Sequence, residues 1–126
     1  MKLNNNLYHI IKKQVTSEGV SFRIALHADC IIYQAHFPGE PITPGVCIIQ
    51  MAEELLSEHL QATYELSKVK TVRFHNVLSP DQTTEVTYDM RKINVDAELH
   101  QVTATIDVRN EEYEYASLIM TCNESV

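Results

Sequence analysis

The stretch that decides the fold is residues 36–61, HFPGEPITPGVCIIQMAEELLSEHLQ. Its first ten residues hold two of the three glycines in the chain and three of its four prolines. After Gly45 both residue types are absent, and the stretch is rich in good helix formers. Proline is tolerated in the first turn of a helix, because the N–H that it lacks has no partner there. The pattern predicts a rigid loop followed by one long helix, with Thr43 as N-cap and Pro44 in the first turn.

Strand-like alternation of apolar and polar residues flanks this helix on both sides. Two segments precede it, 7–16 and 20–28, although the first also suits a short helical face; four follow it, 68–78, 84–93, 100–109 and 113–122, the last three of which complete a meander. A helix that is apolar over most of its surface needs burial on most sides. The sequence therefore predicts one α+β domain over residues 1–126, an antiparallel sheet wrapped around one long central helix, with an open edge that favours dimerisation.

Composition excludes several classes of function. The chain has 126 residues and a net charge of -7, which argues against a nucleic-acid-binding protein that needs a basic surface for phosphates. No apolar run approaches the ~20 residues that a membrane span requires, and no secretory signal is visible. The three cysteines, Cys30, Cys47 and Cys122, are too widely spaced for a zinc ribbon or a disulfide framework. We expect a cytoplasmic protein with reduced thiols, no metal site and no membrane contact.

His36 and Gly45, at the two ends of the proline-rich loop, form a constellation that can carry chemistry. A helix that begins at Gly45 has free N–H groups and about half a positive charge at that end. Glycine has no side chain, so a ligand can approach this backbone closely. The pattern indicates donors for a developing oxyanion close to a potential general base, His36.

These residues resemble a known family. The run A-H-F-P-G-E-P-x-x-P-G-V, Ala35 to Val46, is similar to the active-site signature of the (3R)-hydroxyacyl-acyl carrier protein dehydratases, the FabZ-type enzymes of the hotdog fold. Arg73-Phe74, Val77 and the segment SPDQ at 79–82 are similar to a second family segment, whose glycine is missing here. The resemblance covers roughly residues 20–122. It implies a hotdog fold, a homodimer or higher oligomer of dimers with shared active sites, and no cofactor. The implied substrate is a 3-hydroxyacyl thioester on an acyl carrier protein, in fatty acid or related acyl-chain synthesis.

The resemblance also implies roles for single residues. His36 would remove the α-proton of the thioester, and the N–H of Gly45 would polarise its carbonyl. Phe37 and Val46 would line the acyl tunnel. The full set expected to contact the substrate is Phe37, Pro44, Val46, Glu53 and Glu54.

Gln50 stands where the family has an acidic residue contributed by the other subunit. A glutamine can hold a water or a hydroxyl, but it cannot deliver a proton. Glu53 and Glu54 are the nearest carboxylates, one helical turn further on, and either is a candidate for the missing acid. Three functions remain open: a dehydratase, an acyl thioesterase in which Gln50 holds water, and a non-catalytic protein that binds acyl chains or their carrier.

Half of the ten basic residues fall in two short stretches. An acidic carrier protein is attracted to a chain of net charge -7 only if positive charge is clustered locally, because screening acts over about 8 Å at physiological salt. We expect these residues to include the docking surface for the carrier: Lys68, Lys70, Arg73, Arg91 and Lys92.

Overall fold

The computed structural model describes residues 1–125, which form one six-stranded antiparallel sheet, one long helix and one short helix. In chain order the elements are β1 Tyr8–Val15, β2 Gly19–Leu26, α1 Ile31–Ala35, α2 Gly45–Leu60, β3 Tyr64–Phe74, β4 Glu85–Asp96, β5 Gln101–Arg109 and β6 Glu114–Glu124.

The long helix and one face of the sheet share a single apolar core. Alternate residues of the central strands are buried, for example Val102, Ala104, Ile106 and Val108 of β5. They belong to the same cluster as the buried side of α2, which comprises Cys47, Ile48, Met51, Ala52, Leu55 and Leu56. The hydroxyl of Tyr88, itself fully buried, donates a hydrogen bond to the carbonyl of Ile48 at 2.9 Å. The predicted antiparallel sheet with one long helix is confirmed.

The strand order is β1-β2-β4-β5-β6-β3. Strands β4, β5 and β6 form the predicted meander, whereas β3 does not lie beside β4. Instead β3 pairs with β6 at the edge of the sheet, and β2 takes the place next to β4. This arrangement leaves the second edge of β3 without a strand partner among residues 1–125, next to the long helix.

Three local features differ from the sequence predictions. The short helix α1 was not expected, and β3 begins at Tyr64, four residues before the predicted 68–78 segment. Pro44 is the N-cap of α2 rather than its first residue, and no side chain caps this end. Thr43 cannot act as the cap, because its hydroxyl is buried and lies 2.7 Å from the hydroxyl of Tyr33.

Neither helix in residues 1–125 is long and apolar enough to cross a membrane. The three cysteines are unpaired: Cys47 and Cys122 are buried, and Cys30 is partly exposed. Burial, followed by the charge of Glu53, raises the pKa of the Cys122 thiol to about 12. This thiol therefore stays protonated at neutral pH.

Candidate active site

The loop that carries His36 is held by its own backbone hydrogen bonds. The N–H of His36 donates to the carbonyl of Ile32 at 3.0 Å, which fixes the residue to the end of α1. Its carbonyl accepts from the N–H of Ile42 at 2.7 Å, and Phe37 and Glu40 exchange two further bonds of 3.0 and 2.9 Å. The peptide bond between His36 and Phe37 is cis. The backbone thus holds His36 in place at the start of the loop.

The side chain of His36 is exposed. Its ring lies edge-on to the ring of Phe37, with centroids 5.6 Å apart and an interplanar angle of 73°. Among the residues that the structure describes, no group makes a hydrogen bond with the His36 imidazole. Both ring nitrogens are therefore open to a substrate or to a residue of another chain.

The start of α2 has a free backbone donor. The N–H groups of Cys47 and Ile48 both donate to the carbonyl of Pro44, at 2.9 and 3.1 Å. The N–H of Gly45, one of the first in the helix, has no acceptor within residues 1–125, as is general for the first turn of a helix. With no side-chain cap present, this group can bind an external oxygen.

Phe74, at the end of β3, covers Gly45. A Cβ atom added to Gly45 would lie only 2.8 Å from Cζ of the Phe74 ring. Both residues line a groove with Ile42 and Val77. The sequence resemblance includes Phe74, but no role was predicted for it. The Arg73-Phe74 pair was the signal that could have identified Phe74 as a site residue.

One exposed face of α2 forms a second groove with β3. This groove is lined by Leu66 and by four residues of α2 at positions i, i+3, i+4 and i+7, which share one helix face: Val46, Ile49, Gln50 and Glu53. A carboxylate oxygen of Glu53 accepts a hydrogen bond from the N–H of Leu66 at 2.8 Å and so ties the helix to the strand. The groove offers apolar walls for an acyl chain with a polar amide at Gln50.

Gln50 and Glu54 are joined to the N-terminal segment of the chain. The Nε2 group of Gln50 donates to the carbonyl of Met1 at 2.6 Å and to Oε2 of Glu54 at 3.0 Å. The Glu54 carboxylate also accepts from three further donors: the N–H groups of Leu3 and Asn4, both at 2.8 Å, and the hydroxyl of Tyr8 at 3.0 Å. Burial, followed by the charge of Glu54, raises the pKa of the Tyr8 phenol, so this group remains a donor.

Within one chain the predicted site residues do not all meet. Gly45 and Gln50 line different grooves, and His36 lines neither. The five basic residues also separate: three lie on β3 and two on β4, with β6 and β5 between these strands. Arg91 is paired with Asp107, so its charge is compensated locally.

The family model of the ApeI-like proteins, described as ApeI dehydratase, matches residues 12–113. The chain belongs to the ApeI-like dehydratase family. A 3-hydroxyacyl-[acyl-carrier-protein] dehydratase, FabZ, from Latilactobacillus sakei subsp. sakei (strain 23K) is 28% identical to this ApeI-like protein over 83 residues. That alignment covers 60% of this chain and 59% of the relative.

Solved structures share the fold of this ApeI-like protein. A chain of the dehydratase heterocomplex ApeI:P from Xenorhabdus doucetiae matches with a TM-score of 0.63 at 20% identity, over 90% of this chain and 96% of that chain. A hypothetical thioesterase with coenzyme A from Streptococcus pneumoniae TIGR4 matches with a TM-score of 0.62 at 8% identity, over 94% and 85%. These likenesses confirm the predicted hotdog fold, which hosts more than one activity.

Proposed function

We propose that this protein removes water from 3-hydroxyacyl thioesters carried by an acyl carrier protein. The observation that carries the proposal is the exposed His36 imidazole, which has no hydrogen-bond partner in residues 1–125 and begins the loop that ends at the uncapped start of α2. The family description as a dehydratase and the FabZ relative support the same reaction.

In the proposed reaction His36 takes the proton from C2 of the acyl chain. Negative charge develops on the thioester oxygen, where the N–H of Gly45 and the dipole of α2 stabilise it. The C2–C3 double bond then forms as the C3–O bond breaks. Gln50 has no proton to give, so the imidazolium of His36 returns its proton to the departing hydroxyl. The products are an enoyl thioester, one water molecule and neutral His36.

The separation of the grooves supports a site shared by two subunits. In the proposed homodimer, His36 and Gly45 of one subunit face Gln50 of the other across the exposed edge of β3. Phe37, Pro44 and Val46 would border the path of the acyl chain. Glu53 would lie at the far wall of the groove, where it already binds the N–H of Leu66.

The experiment uses purified protein with 3-hydroxybutyryl and crotonyl thioesters, and follows both enoyl absorbance and release of free thiol. We expect His36→Ala to reduce dehydration by at least about 10²-fold, the usual contribution of a general base. Gln50→Glu places a second carboxyl group beside Glu54 and the carbonyl of Met1, and repulsion favours a shared proton there. This change is expected to raise dehydration by about 10²-fold, because it supplies the missing acid.

Glu53→Gln is the matched control on the same helix face. If Glu53 were the acid, this variant would lose dehydration while Gln50→Glu would change little. Dehydration that survives His36→Ala would contradict the proposed base. Absence of both enoyl product and free thiol with wild type would favour the alternative of a non-catalytic protein that binds acyl chains.

A thioesterase is the second candidate. The carbonyl oxygen of Gln50 makes no hydrogen bond within residues 1–125, and it could hold the water that attacks a thioester. That function predicts release of thiol without enoyl product, and Gln50→Glu would then slow hydrolysis without any gain in dehydration.

A further inference from the structure

The amide of Gln50 has a fixed polarity. Its two N–H bonds are both used, one on the carbonyl of Met1 and one on the carboxylate of Glu54. A flipped amide would direct its oxygen at two other acceptors, which is repulsive. These two acceptors therefore set the orientation of the Gln50 amide, and its Oε1 atom is left free to accept a hydrogen bond from a ligand.

The hydrogen-bond acceptor positions of the Glu54 carboxylate are all occupied. A carboxylate offers about four acceptor positions, and four donors approach this one: Leu3, Asn4, Tyr8 and Gln50. Leu3 is almost fully buried, so the N-terminal segment that supplies two of the donors is itself anchored in the core.

From this network we infer that Glu54 is a positioning residue, which fixes Gln50 as a hydrogen-bond acceptor towards the substrate. The inference rests on the proposed function and adds a preference for one kind of acyl chain. An amide that can only accept will recognise a ligand group that donates. On a 3-hydroxyacyl chain that group is the 3-hydroxyl, whereas saturated and enoyl chains have no donor at this position. Gln50 thus selects the hydroxylated chain.

The test measures binding without turnover. The probes are the amide analogues of 3-hydroxybutyryl-pantetheine and butyryl-pantetheine, in which nitrogen replaces the thioester sulfur. Wild type is compared with Gln50→Met, which has no amide oxygen, and with Glu54→Ala, which releases the amide. Tyr8→Phe is the control, because it removes one donor of Glu54 but leaves both acceptors of Gln50 in place. Melting temperatures check that each variant is folded.

We expect wild type to bind the hydroxylated analogue about 3- to 10-fold more tightly, the effect of one net hydrogen bond. The preference should fall to about one in Gln50→Met and Glu54→Ala and persist in Tyr8→Phe. Affinity for the butyryl analogue should stay within about twofold in every variant, since that ligand does not use the acceptor.

A spectroscopic readout follows the hydrogen bonds directly. In nitrogen-15 correlation spectra, the side-chain amide signals of Gln50 can be assigned by their loss in Gln50→Met. Wild type and Tyr8→Phe should keep these protons slow to exchange with water, and Glu54→Ala should make them exchange rapidly.

Wild type that binds neither analogue, or both equally, would overturn the inference, as would a full preference in Glu54→Ala. A preference for the hydroxylated analogue in a protein that does not dehydrate the thioester would overturn the proposed function alone. Dehydration without any preference would overturn the inference alone.

Discussion

In the proposed reaction, Gly45 has to satisfy packing and ligand access at the same time. Its N–H is free at the start of α2, and the ring of Phe74 lies where a side chain would otherwise project. Phe74 is half exposed, so its ring can move aside at modest cost. A larger residue at position 45 is therefore expected to affect ligand approach more than folding.

We predict that Gly45→Ala changes the free energy of unfolding by no more than about 1 kcal/mol, because displacement of Phe74 is offset by the better helix propensity of alanine. Dehydration should fall by at least about tenfold, since the methyl group moves Phe74 within the groove that also holds the carbonyl donor. Chemical denaturation and the thioester assay measure the two effects separately.

Gly39→Ala is expected to do the opposite of Gly45→Ala, that is, to reduce stability and leave activity unchanged. Gly39 has a φ of 79°, and nothing lies within 4 Å of an added Cβ atom. The substitution should cost roughly 1–2 kcal/mol of stability through backbone strain alone. Turnover per folded molecule should remain. A fully active Gly45→Ala variant would contradict the expectation that ligand approach requires the missing side chain at position 45.

At the scale of elements, strand β3 has two faces with different surroundings. In an antiparallel pair, opposite residues point to the same face. Leu66, Val72 and Phe74 lie opposite buried residues of β6 and so face the helix side, yet all three are exposed. Lys68 and Arg73 lie opposite Thr121 and Ser117 and so face the outer side.

We predict that the outer face of β3 attracts the carrier protein. The double variant Lys68→Glu and Lys70→Glu should weaken binding of an acidic acyl carrier protein, and the loss should be greatest at low salt, where screening is weakest. Lys12→Glu with Lys13→Glu makes the same charge change on β1, at the opposite edge of the sheet, and should have a smaller effect. Titration by calorimetry at two salt concentrations measures both. Equal affinities for wild type and the β3 variant would rule out this docking surface.

The sequence was sufficient to predict most of the helices and strands, but not which strands lie side by side in the sheet. The apolar run after Gly45 identified α2 to within one residue, because its period and composition are strong local signals. The five residues of α1 are too few to show a period. The place of β3 beside β6 depends on pairings 40 or more residues apart, which local patterns do not encode.

The candidate site, too, could be predicted only where local sequence carries the signal. His36, Gly45 and Gln50 were named from a local motif. Three of the four hydrogen-bond partners of Glu54 lie 46–51 residues away in sequence, near the start of the chain. The network that orients Gln50 therefore could not be predicted from the sequence.

At the scale of the whole molecule, the apolar strip of Leu66, Val72 and Phe74 lies beside the free edge of β3 and the exposed Val46. Exposed edge strands readily pair with another chain. A second copy that joins through β3 would cover the strip, extend the sheet and bring the separate grooves of two chains together.

We therefore predict a homodimer in which each active site is shared. Light scattering at micromolar concentration should give twice the 14.4 kDa mass of the chain. Val72→Glu should yield monomers with little activity, because it puts a charge in the contact. Val95→Glu is the control, since Val95 is a similarly exposed valine on β4, away from this edge.

Mixing an inactive variant, His36→Ala, with an impaired one, Gln50→Met, tests the sharing directly. In a symmetric dimer with shared sites, a His36→Ala subunit and a Gln50→Met subunit together form one intact site and one doubly defective site. Random exchange should therefore give at least about a quarter of wild-type activity, because half of the molecules are mixed dimers and each has one fully working site. His36→Ala alone should stay inactive, and Gln50→Met alone should keep only its own reduced activity. A stable monomer of wild type would contradict the dimer. A mixture no more active than the Gln50→Met protein it contains would show that each chain completes its own site, and the proposed pairing of His36 with Gln50 across the interface would be wrong.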